Sequence, residues 1–184
     1  MTISINALLK LNIHSLTKGE KMIKEIETRR SIRKYVDKEV TKDELLDLLH
    51  AAMHSPTARN LQEWRFYASN NREVLDKIAS IPSYQMLLGA KAMIIVCGDK
   101  TINSEEYCFV DCAAATQTIL LEATNIGLGT CWCAIEPRKE RSEPLKELLH
   151  LDDTIFPVAL ISIGYPGEEK GIEDRFDENK ITWL

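Results

Sequence analysis

The residues with the clearest potential for chemistry lie in two short segments of the chain. Residues 29–33 read Arg-Arg-Ser-Ile-Arg, and residues 55–64 read Ser-Pro-Thr-Ala-Arg-Asn-Leu-Gln-Glu-Trp. Guanidinium groups stay charged at any working pH and match phosphate oxygens with two parallel hydrogen bonds. The second segment offers hydroxyl and amide groups in a turn that ends in tryptophan. Together the segments predict a phosphate grip beside a polar cradle for a flat heterocycle, although an arginine cluster alone is more often a solvated face.

The charge balance favours a small anionic ligand over a nucleic acid. The chain has 184 residues and a formal net charge of −5, whereas nucleic-acid binding depends on an excess of cations that neutralise phosphates. Its length suits one domain with a real core. No apolar run approaches the roughly 18–20 residues that cross a bilayer, and the first residues lack the order of a secretory signal. We predict a cytoplasmic protein that binds neither nucleic acid nor membrane.

The cysteines are predicted to be reduced thiols with no metal. They number five, an odd count in a chain without an export signal: Cys97, Cys108, Cys112, Cys131 and Cys133. The sequence contains no CxxC pair, which structural zinc sites usually need. His50 and His54 share helical spacing but lack the glutamate of a zincin motif.

The elements that must position these residues alternate between short strands and longer helices. Thr41 and Glu44 have the spacing of a capping box, which predicts a helix that runs to about His54. Further helices are predicted at 72–79 and 107–126, and strands at 65–69, 92–97 and 156–164. Cys131 and Cys133 fall in a strand or turn. This alternation predicts an α/β or α+β domain.

The long helix predicted over residues 107–126 bears on assembly. Its polar residues Asp111, Thr118, Glu122 and Asn125 form one stripe of a 3.6-residue period, and most of the rest is apolar or small. A helix of this kind is buried on several sides. Part of its surface is predicted to face a partner subunit, the alternative being a central helix in a monomer.

Residues 1–21 differ from the rest because they show no clear hydrophobic period. The helix-like pattern begins at Met22, and residues 18–20 read Lys-Gly-Glu, which is what a purine-rich ribosome-binding site gives when it is translated in frame. We therefore expect residues 1–21 to be a non-native N-terminal extension, with Met22 as the native start, and residues 22–184 to form a single domain.

Four blocks, taken in their order and spacing, resemble the FMN-dependent nitroreductase superfamily. They are residues 29–35, 55–64, 125–132 and 164–183, the last with Gly-Tyr-Pro-Gly, Arg-Phe and Ile-Thr-Trp. The resemblance covers the chain from about Met22 to the C-terminus. It implies an α+β fold with a central, mostly antiparallel sheet flanked by helices. It also implies an intertwined homodimer with two FMN sites at the subunit interface.

The resemblance further implies which residues bind the flavin. They are Arg29, Arg30, Ser31, Arg33, Pro56, Thr57, Ala58, Asn60, Gln62, Trp132, Cys133, Ala134 and Arg175. Residues 29–31 and Arg175 would surround the phosphate and the ribityl chain. Arg33 would approach the N1/O2 edge, where a cation stabilises the reduced flavin. Residues 56–58 would line the ring from the partner subunit, Asn60 and Gln62 would offer amide hydrogen bonds, and a backbone N–H of residues 132–134 would lie near N5.

The implied activity is a ping-pong transfer of hydride. NADH or NADPH would reduce the flavin at N5, and an oxidised acceptor such as a nitroaromatic, a quinone or an enone would then be reduced. No side chain need act as a nucleophile or a general acid, so no catalytic residue is predicted. The alternatives are a different flavoenzyme on the same scaffold and a flavin-binding redox sensor that uses Cys131 or Cys133.

Three features of these blocks leave alternatives open. Glu63 stands where the family usually has proline, so it either alters access of the substrate or points to solvent. Cys131 and Cys133 flank Trp132, and packing is favoured over redox activity for them because free cysteine behaves as a small buried hydrophobe. Residues 127–129 read Gly-Leu-Gly, which fits a helix C-cap and tight turn and not a dinucleotide fingerprint.

Overall fold

A computed structural model describes residues 22–184 of the chain. Its α-helices are α1 (Lys24–Thr28), α2 (Lys42–Ala52), α3 (Arg72–Ala79), α4 (Glu105–Asn125) and α5 (Lys139–Leu149), and its strands are β1 (Trp64–Ser69), β2 (Ala92–Asp99), β3 (Gly129–Ala134) and β4 (Ile155–Gly164). Short 3₁₀ helices cover Ala58–Asn60, Pro82–Leu88 and Glu178–Lys180. The expected extension over residues 1–21 lies outside the described residues. No helix of residues 22–184 is long and apolar enough to cross a membrane.

The strands form one antiparallel sheet in the order β1-β2-β4-β3. The central strands β2 and β4 are buried along their whole length, as their continuous apolar sequences require. Alternate residues of β2 point to opposite faces: Ile94 packs with the helices α2 and α4, and Ile95 packs with α3 and α5. The predicted α+β fold with an antiparallel sheet between helices is confirmed.

Most predicted elements appear close to their predicted bounds. The capping box at Thr41 is confirmed, because the Glu44 backbone N–H donates to Thr41 Oγ1 at 3.2 Å and the Thr41 N–H donates to Glu44 Oε2 at 2.7 Å. The sequence pattern did not predict α5. That helix contains Pro144, and an interior proline argues against a helix, although Leu145, Leu148 and Leu149 have helical spacing.

The long helix α4 ends in a Schellman motif. The Leu128 N–H donates to the Ala123 carbonyl at 2.7 Å, the Gly127 N–H donates to the Thr124 carbonyl at 3.2 Å, and Gly127 has a φ of +82°. The C-cap interpretation of residues 127–129 is therefore confirmed. The polar stripe of α4 does not mark its solvent face, since Asp111 is only 6% exposed whereas Val110 is 66% exposed.

Candidate functional site

The arginine-rich segment lies along the outer edge of the sheet. Ser31 forms a parallel bridge with Thr130 of β3, and the Ile32 N–H donates to the Thr130 carbonyl at 2.9 Å. Glycine makes this approach possible, because a Cβ at position 129 would lie 2.8 Å from the Cβ of Ile32. The sheet edge thus fixes the backbone that presents the arginines.

Four predicted phosphate and flavin ligands meet in one cleft, which we call the arginine cleft. It has a volume of about 410 Å³, and it is lined by Arg30, Ser31, Arg33, Lys170, Gly171, Glu173 and Arg175. Arg29 lies beside it: burial lowers the pKa of Arg29, and the neighbouring charges of Arg175 and Arg30 lower it further. Within residues 22–184, Arg29, Arg30 and Arg33 form no ion pair. Repelling cations held together without acidic partners favour an anionic ligand.

Backbone carbonyls hold the guanidinium of Arg30 in place. Its Nε donates to the Gly171 carbonyl at 2.8 Å, and its Nη1 donates to the Glu27 carbonyl at 2.9 Å. Its Nη2 is buried and has no partner among the described residues. A buried N–H without an acceptor is costly, so this atom suits a ligand oxygen.

The C-terminal segment closes the arginine cleft with the predicted Arg175 and with three side chains that the sequence did not single out, those of Glu168, Lys170 and Glu173. Lys170 lines the cleft and donates to the Ser31 carbonyl. Glu168 accepts from the backbone N–H of Arg33 at 2.7 Å, which ties the two ends of the chain together. Arg175 forms an ion pair with Glu173 at 2.7 Å. The only sequence signal for these roles is the charged run after Gly167.

The cradle, which comprises residues 55–62, adopts an unusual backbone. Arg59, Asn60 and Gln62 all have φ values between 54° and 56°, and such conformations persist in non-glycine residues only where the surroundings fix them. Hydrogen bonds from α4 supply that constraint. Asp111 Oδ2 accepts from the Ala58 N–H at 2.8 Å, and the Ser55 and Thr118 hydroxyls lie 2.7 Å apart.

The predicted amide ligands of the cradle bond to each other. Gln62 Nε2 donates to Asn60 Oδ1 at 3.0 Å, and the Gln62 backbone N–H donates to Thr57 Oγ1 at 3.1 Å. Both amide side chains are exposed. The remaining amide donors and acceptors therefore face outward from an ordered loop.

The arginine cleft and the cradle do not meet within one chain. The cradle is anchored at Asp111 and Thr118 of α4, whereas the arginine segment packs at Gly129, beyond the C-terminal end of that helix. At 1.5 Å per residue, Asp111 and the helix end are about 20 Å apart. The structure therefore brings together the predicted phosphate ligands and keeps the predicted ring ligands of the cradle at a distance.

The edge strand β3 presents a free backbone donor. The Thr130 carbonyl faces away from β4, because it accepts from Ile32, so the backbone groups of Trp132 and Ala134 face the same outer side. Arg141 Nη1 donates to the Ala134 carbonyl at 2.6 Å. No acceptor for the Trp132 backbone N–H is found in residues 22–184.

The side chains of residues 132–134 alternate between the two faces of the sheet. Trp132 packs against the core on the α2/α4 side, whereas Cys133 is buried on the α3/α5 side and Ala134 is exposed. The Cys133 thiol therefore cannot share a surface with the Trp132 ring. Burial raises the pKa of Cys133, and Arg141 Nη1 lies 3.6 Å from its sulfur. All five cysteines are free and buried.

The solvent-facing alternative for Glu63 is wrong, because its side chain is 0% exposed. The backbone carbonyl of Glu63 accepts from the Asp99 N–H at 3.0 Å, which continues the pairing of β1 with β2 and turns the side chain inward. Asn103 Nδ2 donates to Glu63 Oε1 at 3.1 Å. In residues 22–184, no three His, Cys, Asp or Glu side chains converge as metal ligands.

Known proteins share this fold and these blocks. A model of the nitroreductase family matches residues 26–93 and 81–165. An Archaeoglobus fulgidus protein, provisionally named an NADH dehydrogenase/NAD(P)H nitroreductase, is 39% identical over 168 residues, which cover 88% of this chain and 97% of the relative. The chain belongs to the nitroreductase family, and it is an oxidoreductase.

Two solved structures support the same assignment. An FMN-dependent nitroreductase from Clostridium difficile R20291 has a TM-score of 0.81 and 30% identity, with 88% of this chain and 98% of that chain covered. A protein from Desulfovibrio desulfuricans, provisionally named a nitroreductase and solved in complex with FMN, has a TM-score of 0.77 and 27% identity, with 87% and 94% covered.

Proposed function

We propose that the protein is an FMN-dependent oxidoreductase that uses NADH or NADPH to reduce an oxidised acceptor such as a nitroaromatic, a quinone or an enone. Bound FMN would supply the two-electron chemistry of a ping-pong cycle, accepting hydride at N5 and passing it on. The observation that carries the proposal is the arginine cleft, a space of about 410 Å³ lined by Arg30, Arg33, Lys170 and Arg175, of which Arg30 and Arg33 form no ion pair within residues 22–184.

The donor set of the arginine cleft fits a phosphate. Arg30 Nη2 is buried without an acceptor, and Arg29 has no acidic partner among the described residues. A phosphate would accept from both guanidinium groups and from Ser31, and it would compete with Glu173 for Arg175. Arg33, also in the cleft, would place its charge toward the N1/O2 edge of the ring.

The ring ligands are proposed to come from two chains. In one chain the cradle lies about 20 Å along α4 from the arginine segment, so residues 56–58, Asn60 and Gln62 of a second copy would complete the site. The apolar side chains of Tyr107, Val110, Ile172, Ile181 and Trp183 are exposed in a single chain. An intertwined homodimer would bury these surfaces.

Residues 132–134 would face the ring edge through their backbone. The Trp132 N–H faces outward from the edge of β3, and no acceptor for it is found in residues 22–184, so it would donate to N5. Both neighbouring thiols are buried, and burial raises the pKa of Cys133. The structure therefore offers no support for a thiol-based redox sensor.

An anaerobic visible spectrum tests this proposal directly. The purified protein is mixed with FMN, and NADH or NADPH is added, followed by an acceptor. A bound-flavin spectrum that bleaches with nicotinamide and recovers with acceptor is the expected result. Bound flavin that neither nicotinamide reduces would contradict the proposed reaction, and absence of flavin binding would contradict the proposed cofactor.

A further inference from the structure

Glu63 and Asp111 form a pair of buried carboxyl groups under the cradle. Glu63 lies between the cradle and β1, and Asp111 lies in the second turn of α4. Their exposed fractions are 0% and 6%. Asn103 Nδ2 donates to Glu63 Oε1 at 3.1 Å, and the Ala58 N–H donates to Asp111 Oδ2 at 2.8 Å. Each carboxyl group thus has one fixed donor.

The second oxygen of Glu63 lacks a donor. Oε2 is buried and has no hydrogen-bond partner among the described residues, yet the Asp111 carboxyl group lies within hydrogen-bonding reach of the Glu63 side chain. Two ionised carboxylates offer only acceptors, so they repel each other. A proton on one of them changes a repulsive contact into a hydrogen bond.

The surrounding groups do not neutralise this pair. Arg65 is already bound to Asp99 at 2.8 Å. The thiols of Cys108 and Cys112 on α4 also interact with the pair and supply no cation. Burial, with the carboxyl groups adding to it, raises the pKa of Cys108 to about 11. Burial and the Asp111 carboxyl group also raise the pKa of Glu63.

We propose that Glu63 is a protonated positioning residue, whose carboxylic acid donates to Asp111 and so fixes the carboxylate that holds the Ala58 N–H. This proposal adds to the proposed function. The link between Glu63 and flavin binding rests on the proposed FMN-dependent activity. Ala58 directly precedes the positive-φ residues Arg59 and Asn60. Since their backbone needs external constraint, loss of the Ala58 anchor would loosen the cradle.

The proposal gives a definite sign to the pH dependence of stability. An acid whose pKa is raised in the folded state stabilises the fold fully below its unfolded pKa, and this stabilisation is lost as the pH rises through the folded pKa. Glu63→Gln keeps a donor toward Asp111 at every pH. Asp111→Asn supplies an amide donor to Glu63, so Glu63 no longer needs the proton.

Thermal unfolding of the full-length protein between pH 5 and pH 9 tests the protonation. Relative to wild type, the Tm of Glu63→Gln and of Asp111→Asn should rise with pH by roughly 3–5 °C per pH unit until the folded pKa is passed. Glu143→Gln, on the exposed surface of α5, should show the same dependence of Tm on pH as wild type. A pH-independent Tm difference for both variants would overturn the proposal.

FMN titration at pH 6 and pH 9 tests the positioning role. The dissociation constant should rise more with pH in wild type than in Glu63→Gln. Glu63→Ala removes the donor that residue 63 offers to Asp111 and leaves only the Ala58 N–H, so it should bind FMN more weakly than wild type at both pH values. If the ratio of the dissociation constant at pH 9 to that at pH 6 were the same in wild type and in Glu63→Gln, the positioning role would be overturned. If wild type binds no FMN, the proposed function and the positioning role both fail, while the unfolding profiles still decide the protonation.

Discussion

The arginine cleft and the Glu63–Asp111 pair both hold like charges close together, but they differ in sign and in burial. The cleft gathers guanidinium groups in a space that solvent can reach, whereas the acid pair is closed off beneath the cradle. Repulsion at an open site can be relieved by a ligand that enters from solution. Repulsion at a closed site can be relieved only by a proton or by movement of the groups.

Because of this difference, we expect the arginine cleft to bind a ligand and the Glu63–Asp111 pair to position the cradle. Changes in the arginine cleft should alter the affinity for an anion and leave the fold intact, whereas changes in the acid pair should alter the pH dependence of stability first. In the two proposals, repulsion among cations attracts a cofactor, and a proton that relieves repulsion between carboxylates holds the loop that would face it.

Arg29→Ala should give the largest change in FMN affinity. Removing one charge-assisted contact from the cleft should cost about 1.5–3 kcal/mol, which corresponds to a loss of about ten- to hundred-fold. Fluorescence titration of FMN measures this loss. Lys77→Ala removes the same charge from the exposed face of α3 and should bind FMN as wild type does. Unchanged affinity in Arg29→Ala would show that Arg29 does not contact the phosphate.

Gly129→Ala should damage the cleft through packing instead of charge. The added methyl group would lie 2.8 Å from the Ile32 Cβ, so the arginine segment would have to shift, at a cost of about 1–3 kcal/mol. Denaturant unfolding should show a lower free energy of unfolding, and FMN titration should show a lower affinity for FMN. Gly89→Ala is the matched control, because a Cβ there meets nothing within 4 Å. Wild-type behaviour of Gly129→Ala would mean that the edge contact does not position the arginines.

Local sequence signals predicted most of the fold. The Thr41 capping box, the strand pattern of β2 and β4 and the glycine after α4 each express a local rule, and each was confirmed. Helix α5 was missed because Pro144 lies inside it, and an interior proline usually ends a helix. The burial of Glu63 could not be predicted, because it depends on where Asp111 and Asn103 come together in three dimensions.

The sequence predicted the candidate site about as completely as it predicted the fold. The arginines of residues 29–33 and Arg175 carry recognisable motifs, and the structure places Arg30, Ser31, Arg33 and Arg175 around one cleft. Lys170 carries no motif, and its place in the cleft follows only from the fold-back of residues 166–171 onto the arginine segment. The sharing of the cradle between two chains stays a prediction.

Glu173→Gln should have the smallest effect and the opposite sign. Glu173 Oε2 forms an ion pair with Arg175 Nη2 at 2.7 Å, and both side chains are largely exposed. An exposed ion pair is weak, so freeing Arg175 should strengthen FMN binding by only about two- to five-fold. Glu178→Gln, elsewhere on the exposed C-terminal segment, should leave FMN affinity unchanged. Weaker binding in Glu173→Gln would mean that Glu173 orients Arg175 for the ligand instead of competing with it, and the cleft would then depend on an acidic residue as the buried pair does.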